Sequence, residues 1–160
     1  MTETKDEYTL WFHNPNDTNW NVDAYHEILN FQDYKEFWVL YSSLKNKLIE
    51  NGMFFLMKSN IKPIWEDENN INGGCISYKV DKRKSYNIFE KFLVYLISGE
   101  LERNNPYITN GISISPKKKF NIIKIWFGEE IDINQYNFID ELGMNKSNIL
   151  LLIIVVLTTI

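Results

Sequence analysis

Short apolar runs with strand periodicity, broken by a few stretches of helical spacing, set the narrowest limit on this fold. Tyr8 to His13, "YTLWFH", is aromatic and alternating, which reads as a strand. Tyr25 to Phe31, Met53 to Lys58, Cys75 to Val80, Ile108 to Ser115 and Phe120 to Phe127 read the same way. Asp33 is placed to cap a helix reading "YKEFWVLYSSLKNKL", with Phe37, Tyr41, Leu44 and Leu48 on its buried stripe. Ser85 is placed to cap a second helix through Ser98, with Phe89, Phe92, Leu93 and Leu96 inward and Gly99 as its stop. Ile133 to Leu142 predicts a third, closed by Gly143. Helices inserted between strand pairs give an α+β fold, a curved antiparallel β-sheet with helices on one face.

Length fits one domain with a real core. The expected boundaries are a flexible N-terminal segment over residues 1–7 and a single domain over 8–160. A net charge of −4 argues against a protein that grips many phosphates, but leaves room for a pocket taking one nucleotide. Cys75 is the only cysteine, so no internal disulfide forms, as suits a reducing compartment. The N-terminus carries no signal peptide. Ile149 to Leu157 is unbroken apolar sequence, shorter than the about 20 residues of a membrane helix, and reads as a buried strand.

Catalytic signatures are absent. The sequence has no phosphate-cradling glycine loop, no CxxC or HExxH pattern and no GxSxG elbow. His13 and His26 match no catalytic pair and read as polar or half-buried structural residues. No cofactor or metal is expected.

One stretch is odd: "IKPIWEDENNINGGC" has loop composition, yet Trp65 sits in it beside three acids. This stretch, "FQDYKEFWVLY" and "YTLWFHNPNDTNW" together resemble the eukaryotic translation initiation factor 4E family, the mRNA cap-binding proteins. The ordered set is Leu10-Trp11-Phe12, Asn19-Trp20, Phe37 to Tyr41, and Pro63 to Asp67 with the glycine pair after it. The likeness continues through "GISISPKKKFNIIKIW". It covers residues 8 to 127 well and the tail loosely.

The resemblance implies helices on the convex face of the sheet and a cap pocket on the concave side. It implies that Trp20 and Trp65 sandwich a 7-methylguanine ring, whose positive charge adds a cation–π term to stacking. Stacking contributes about 1–3 kcal/mol per base, and the cation–π term about 0.5–2 kcal/mol. Preference over unmethylated guanine would then be about 10–100-fold. Glu66 would accept from guanine N1–H and N2–H₂, a donor pair that adenine lacks. Asp67 and Glu68 read as solvated acids, with Asp67 bracing the loop. Trp126 would pack near the N7-methyl group, its bland alternative being strand core.

For the phosphates, Lys117 falls at the first family cation and Ile122 at the second, while Cys75 replaces a residue that is often Arg. Lys118, Lys119 and Lys124 are the candidates to compensate. Fewer phosphate contacts than usual are expected, hence a shallow salt dependence.

The resemblance also implies a peptide-binding face. There Trp38 would anchor a Tyr-x₄-Leu-Φ helix from a 4G-like scaffold or a 4E-binding peptide. Tyr34, Lys35, Lys91, Val94 and Ile97 would surround it. The family's acids become Lys35 and Lys91 here, and the His-Pro-Leu tripeptide before the first strand is missing. Family members continue past the last strand, whereas this chain ends at Ile160, which reads as a minimal or divergent C-terminus. The implied protein is a monomeric, cytoplasmic, non-enzymatic factor that brings capped mRNA to translation, divergent enough to fit a virus-encoded member. The alternatives are a cap-sequestering repressor or decoy, a decapping hydrolase, and a structural protein with decayed sites.

Overall fold

The computed structural model describes residues 3–142 and the backbone of 149–154. The strands are β1 (Glu3–His13), β2 (Tyr25–Asp33), β3 (Met53–Lys58), β4 (Gly74–Asp81), β5 (Thr109–Pro116), β6 (Phe120–Phe127) and β7 (Ile149–Ile154). The helices are α1 (Tyr34–Ser43), α2 (Asn46–Asn51), α3 (Ser85–Ile97) and α4 (Glu100–Arg103). All seven strands form one sheet in the order β2-β1-β3-β5-β6-β4-β7, and its pairings are antiparallel. Register shifts in β1/β2, β5/β6 and β4/β7 mark bulges, which bend strands and curve the sheet.

Alternation sorts the sheet's two faces. Tyr8, Leu10, Phe54, Leu56, Ile112, Ile114, Ile123, Ile125, Ile76 and Tyr78 point to the convex side. There they pack against Phe37 and Tyr41 of α1 and Phe89, Phe92, Leu93 and Leu96 of α3, in one core. The opposite face carries a smaller cluster of Trp11, Phe55, Met57, Ile61 and Trp126. The α+β expectation holds, with helices on one face and an open concave side.

Four local expectations are corrected. The first helix does not run to Leu48. Ser42 and Ser43 donate from Oγ to the carbonyls of Trp38 and Leu40, both at 2.6 Å, in competition with the helix ladder. Leu44 and Lys45 are then extended, and α2 starts on a new phase. Ile49 is buried there, and Leu48 is 43% exposed. Second, β1 begins at Glu3, so the segment expected to precede the sheet is strand from residue 3 onward. Third, the start of α3 is set less by Ser85 than by Asp81, whose carboxylate accepts from Arg83 N in the short 3₁₀ turn before it. Gly99 does end α3, at φ +80°.

Fourth, the expected third helix is absent but for a 3₁₀ turn at Asp140–Leu142. Backbone groups there bond elsewhere. Asp132 N donates to the Tyr107 hydroxyl at 2.8 Å and Asn137 N to Asn105 Oδ1 at 2.5 Å. Tyr136, Ile139 and Leu142 are buried at three-residue intervals, yet residues 136–139 are not helical. Gly143 lies outside the described residues. Within the C-terminal apolar run, Ile149–Ile154 forms β7, pairing with β4, and its remaining residues lie outside the described ones.

An ion cluster clamps α4 to the sheet. Glu102 accepts from Lys5 Nζ at 2.8 Å, Lys58 Nζ at 2.6 Å and Thr109 N at 3.2 Å. Burial alone would raise its carboxyl. Hydrogen bonds from Lys5 and Lys58, together with their charges, outweigh burial and hold it below the ordinary 4.5. A depressed folded-state value stabilises above the unfolded value, and that contribution is lost as pH falls through the folded one. Denaturant midpoints from neutral to acid pH are therefore expected to fall more steeply for the wild type than for Glu102→Gln. Parallel profiles would rule the contribution out.

Candidate functional site

The concave cluster is the floor of a cleft of about 200 Å³, lined by residues that include Trp20, Trp65, Glu66, Lys124 and Trp126. Its size suits one ring system better than an extended ligand, since drug-sized pockets run to about 300–1,000 Å³. Three separate chain segments deliver these side chains: the β1–β2 loop, the β3–β4 loop and β6.

The β3–β4 loop has no regular structure, yet it is tightly tied. Asp67 accepts from Lys62 N and Asn69 N, both at 2.8 Å, so it braces the loop as expected. Asn70 is fully buried and donates from Nδ2 to the carbonyls of Lys62 at 3.1 Å and Ile64 at 2.9 Å. Its own Oδ1 accepts from Asn110 Nδ2 of β5 at 3.0 Å. Backbone carbonyls on either side of Pro63 are thus anchored to the sheet, which fixes the departure point of Trp65 and Glu66. A Cβ on Gly73 would lie 1.7 Å from the Phe127 carbonyl oxygen, so only glycine lets the loop return this close to β6.

Both loop tryptophans use one ring face on the protein. Trp65 stacks on Trp126 at 4.1 Å and 11°. Trp20 stacks on His13 at 4.2 Å and 5°. The two pairs are joined by an aromatic arc. His13 meets Tyr25 at 4.7 Å, Tyr25 meets Phe55 at 5.4 Å, and Phe55 meets Trp126 at 6.1 Å. Trp126 is nearly buried and donates from Nε1 to Ser113 Oγ at 3.0 Å, so it is both strand core and pocket wall. His13 is wholly buried rather than half-buried, and its contact with Trp20 is closer than a scaffold role requires. The signal in the sequence is alternation: His13 shares a strand face with Trp11 and Thr9, opposite Leu10 and Phe12.

Charge in the cleft is split. Glu66 stands at the loop side, exposed. Burial, and then the charge of Glu66, raise the Tyr25 hydroxyl, which places that carboxylate within electrostatic reach of the arc. Lys124 stands on β6 beside Ser113 of β5 and Ser77 of β4 in the strand register. Of the four candidate lysines only Lys124 lines the cleft; Lys117, Lys118 and Lys119 are exposed in the β5–β6 turn. Ile122 shares its concave-face row with Ser115 and Lys79. Cys75 is fully buried opposite Trp126. Burial pushes its thiol up against the opposing influence of Lys124 and Ser77. Cys75 therefore brings no cation to the cleft and does not line it.

A family model described as eukaryotic initiation factor 4E matches residues 3–151. The chain belongs to the initiation factor 4E family. Its relatives include eukaryotic translation initiation factor 4E of Candida albicans, 30% identical over 128 residues, 74% of this chain and 61% of that protein. Another is a factor 4E homolog of Acanthamoeba polyphaga mimivirus, 36% identical over 64 residues, 39% of this chain and 24% of that one. The chain thus spans about 60% of the length of the fungal relatives it matches. Among solved structures, the fold is shared with C. elegans eIF4E-3 in complex with the 4E-binding protein Mextli and cap analog. That match has a TM-score of 0.71 and 22% identity, over 80% of this chain and 75% of that one.

On the helical face of this factor 4E domain, the residues expected to meet a partner differ in exposure. Trp38 is 45% exposed on α1, with Lys35 exposed and Tyr34 half-buried beside it. On α3 Lys91 is exposed and Val94 half-buried. Ile97 is 0% exposed and belongs to the core, so it is corrected from partner contact to scaffold. Helical arithmetic explains why: Phe89, Leu93 and Ile97 recur every fourth residue on the inward stripe. No helix among the described residues is long and apolar enough to cross a membrane.

Proposed function

We propose that this chain binds the 7-methylguanosine 5′ cap of mRNA without acting on it chemically. The observation that carries the reading is the convergence of Trp20, Trp65 and Glu66 on one cleft from two unrelated loops. Each indole has one face on the protein, on His13 or Trp126, and offers the other to a ligand ring. Glu66 accepts from the guanine N1–H and N2–H₂ edge, and Trp126 closes the site near the N7-methyl group. The C. elegans complex, whose ligand is a cap analog, supports the reading through the shared fold. Retention on immobilised 7-methylguanosine triphosphate, with release by that nucleotide and not by GTP, is the test; release by both equally contradicts it.

Lys124, as the one candidate lysine lining the cleft, takes the phosphates, with the turn lysines at most assisting through solvent. The dependence of log Kd on log salt is expected to be about one or shallower. Lys124→Ala flattens it further, and a steep slope that survives the substitution contradicts the assignment.

Recruitment to translation would run through Trp38 of α1, the helix whose Val39 and Leu40 line a largely apolar groove with Leu29, Lys35 and Glu36. A 4G-like scaffold or a 4E-binding peptide is the proposed partner, and the chain is read as a cytoplasmic monomer. The second reading is a cap-sequestering decoy. Exposed Lys35 and Lys91 favour it, because cations in place of acids repel a basic partner peptide. Binding of a standard basic motif peptide would exclude the decoy.

A further inference from the structure

We propose that His13 is the positioning residue for Trp20, fixing the plane and placement of that indole before any ligand arrives. The inference rests on the reading of Trp20 as one jaw of the cap site and adds what holds the jaw.

Trp20 is the less supported of the two jaws. It is 51% exposed, and its one ring contact among the described residues is with His13. The loop that carries it is shaped by local turns. Asn14, Asp17 and Asn19 side chains each accept from the backbone N–H two residues on, at 2.9 Å. Such bonds define the loop's shape but do not anchor it to the sheet. His13 supplies an anchor in two ways. Its ring lies flat under the indole, and its Nε2 bonds to the Asn19 carbonyl at 2.8 Å, holding the backbone next to Trp20. A carbonyl only accepts, so Nε2 carries a proton and donates it there, and the other ring nitrogen is Nδ1. That Nδ1 is buried with no hydrogen-bond partner among the described residues.

The bare nitrogen is informative. A phenylalanine would give the same stacking with no orphaned polar atom, so histidine at this place is an energetic cost unless its other nitrogen matters. The bond to Asn19 is what it adds. The ring itself cannot drift. β1 lies between β2 and β3, with His13 opposite Tyr25 on one side and Met53 on the other, and the Tyr25 ring packs against it. One side chain thus transmits the rigidity of the sheet both to the indole and to the chain beside it. A pre-ordered jaw removes the ordering cost that a free one would impose on binding.

A double-mutant cycle on the full chain tests this, with dissociation constants for 7-methylguanosine triphosphate measured by calorimetry. His13→Ala is expected to weaken binding by about tenfold, the range set by ordering one side chain and its loop. Trp20→Ala weakens it further, and the double variant is expected to match Trp20→Ala alone. His13→Phe keeps the stack and loses the Asn19 bond, so it falls between wild type and His13→Ala. It carries the same cycle should the alanine variant not fold. General loss of structure would lower the active fraction without coupling the two positions. Multiplying single effects, or wild-type affinity in both His13 variants, would overturn the proposal. Wild-type affinity in Trp20→Ala would overturn the cap reading at Trp20 instead.

Discussion

Replacing Glu66 by alanine is expected to weaken binding of 7-methylguanosine triphosphate by about 100-fold or more. A carboxylate accepting two hydrogen bonds contributes about 1.5–3 kcal/mol through each of them. Because Glu66 is exposed, water partly replaces the lost acceptor, which places the effect toward the lower end of the sum. About 2.7 kcal/mol corresponds to 100-fold. Glu68, two residues on and also exposed, does not line the cleft. Glu68→Ala should leave the dissociation constant within about twofold, the usual reach of a remote surface charge. Equal losses in the two variants would mean that the loop's overall charge, and not a specific acceptor, is what the ligand meets.

Gly73→Ala is expected to destabilise the fold by about 3 kcal/mol or more, at or beyond the top of the usual range for overpacking. The clash is with the backbone carbonyl of Phe127, the last residue of β6, so no side chain can swing aside. Gly73 also ends the loop that begins at the anchored carbonyls of Lys62 and Ile64. Any shift there is passed to Trp65 and Glu66. Denaturant midpoints for wild type and variant measure the first effect. Nucleotide affinity of the folded fraction measures the second, and both should fall. A stable variant with unchanged affinity would show that the loop can close by another path.

How much of this was legible follows from the range of the interactions involved. β3 and β6 match their expected bounds because a short apolar run is a local property, and polar or glycine residues flank both. The break after α1 was missed because two serine hydroxyls compete for carbonyls, which no hydrophobic pattern records. The helix expected over 133–142 failed for a non-local reason, since Asn105 claims the backbone N–H of Asn137 in its middle. The proposed guanine side of the site was visible in ordered motifs, Trp20 and Trp65-Glu66. The proposed phosphate side was not, because register in a turn is ambiguous and only the strand face separates Lys124 from Lys117, Lys118 and Lys119. Asn70 had no signal at all: its neighbour Asn69 is the same residue type, and what distinguishes it is contact with Asn110, far along the chain.

Discrimination at the proposed site rests on the charge of the methylated ring. Tryptophan fluorescence titration with 7-methylguanosine triphosphate and with GTP, under the same buffer, reads that charge directly. Quenching at saturation is expected with the methylated nucleotide, with an affinity about 10–100-fold above that for GTP, the margin a cation–π term on two indole faces supplies. Equal affinities for the two nucleotides would contradict the sandwich of Trp20 and Trp65.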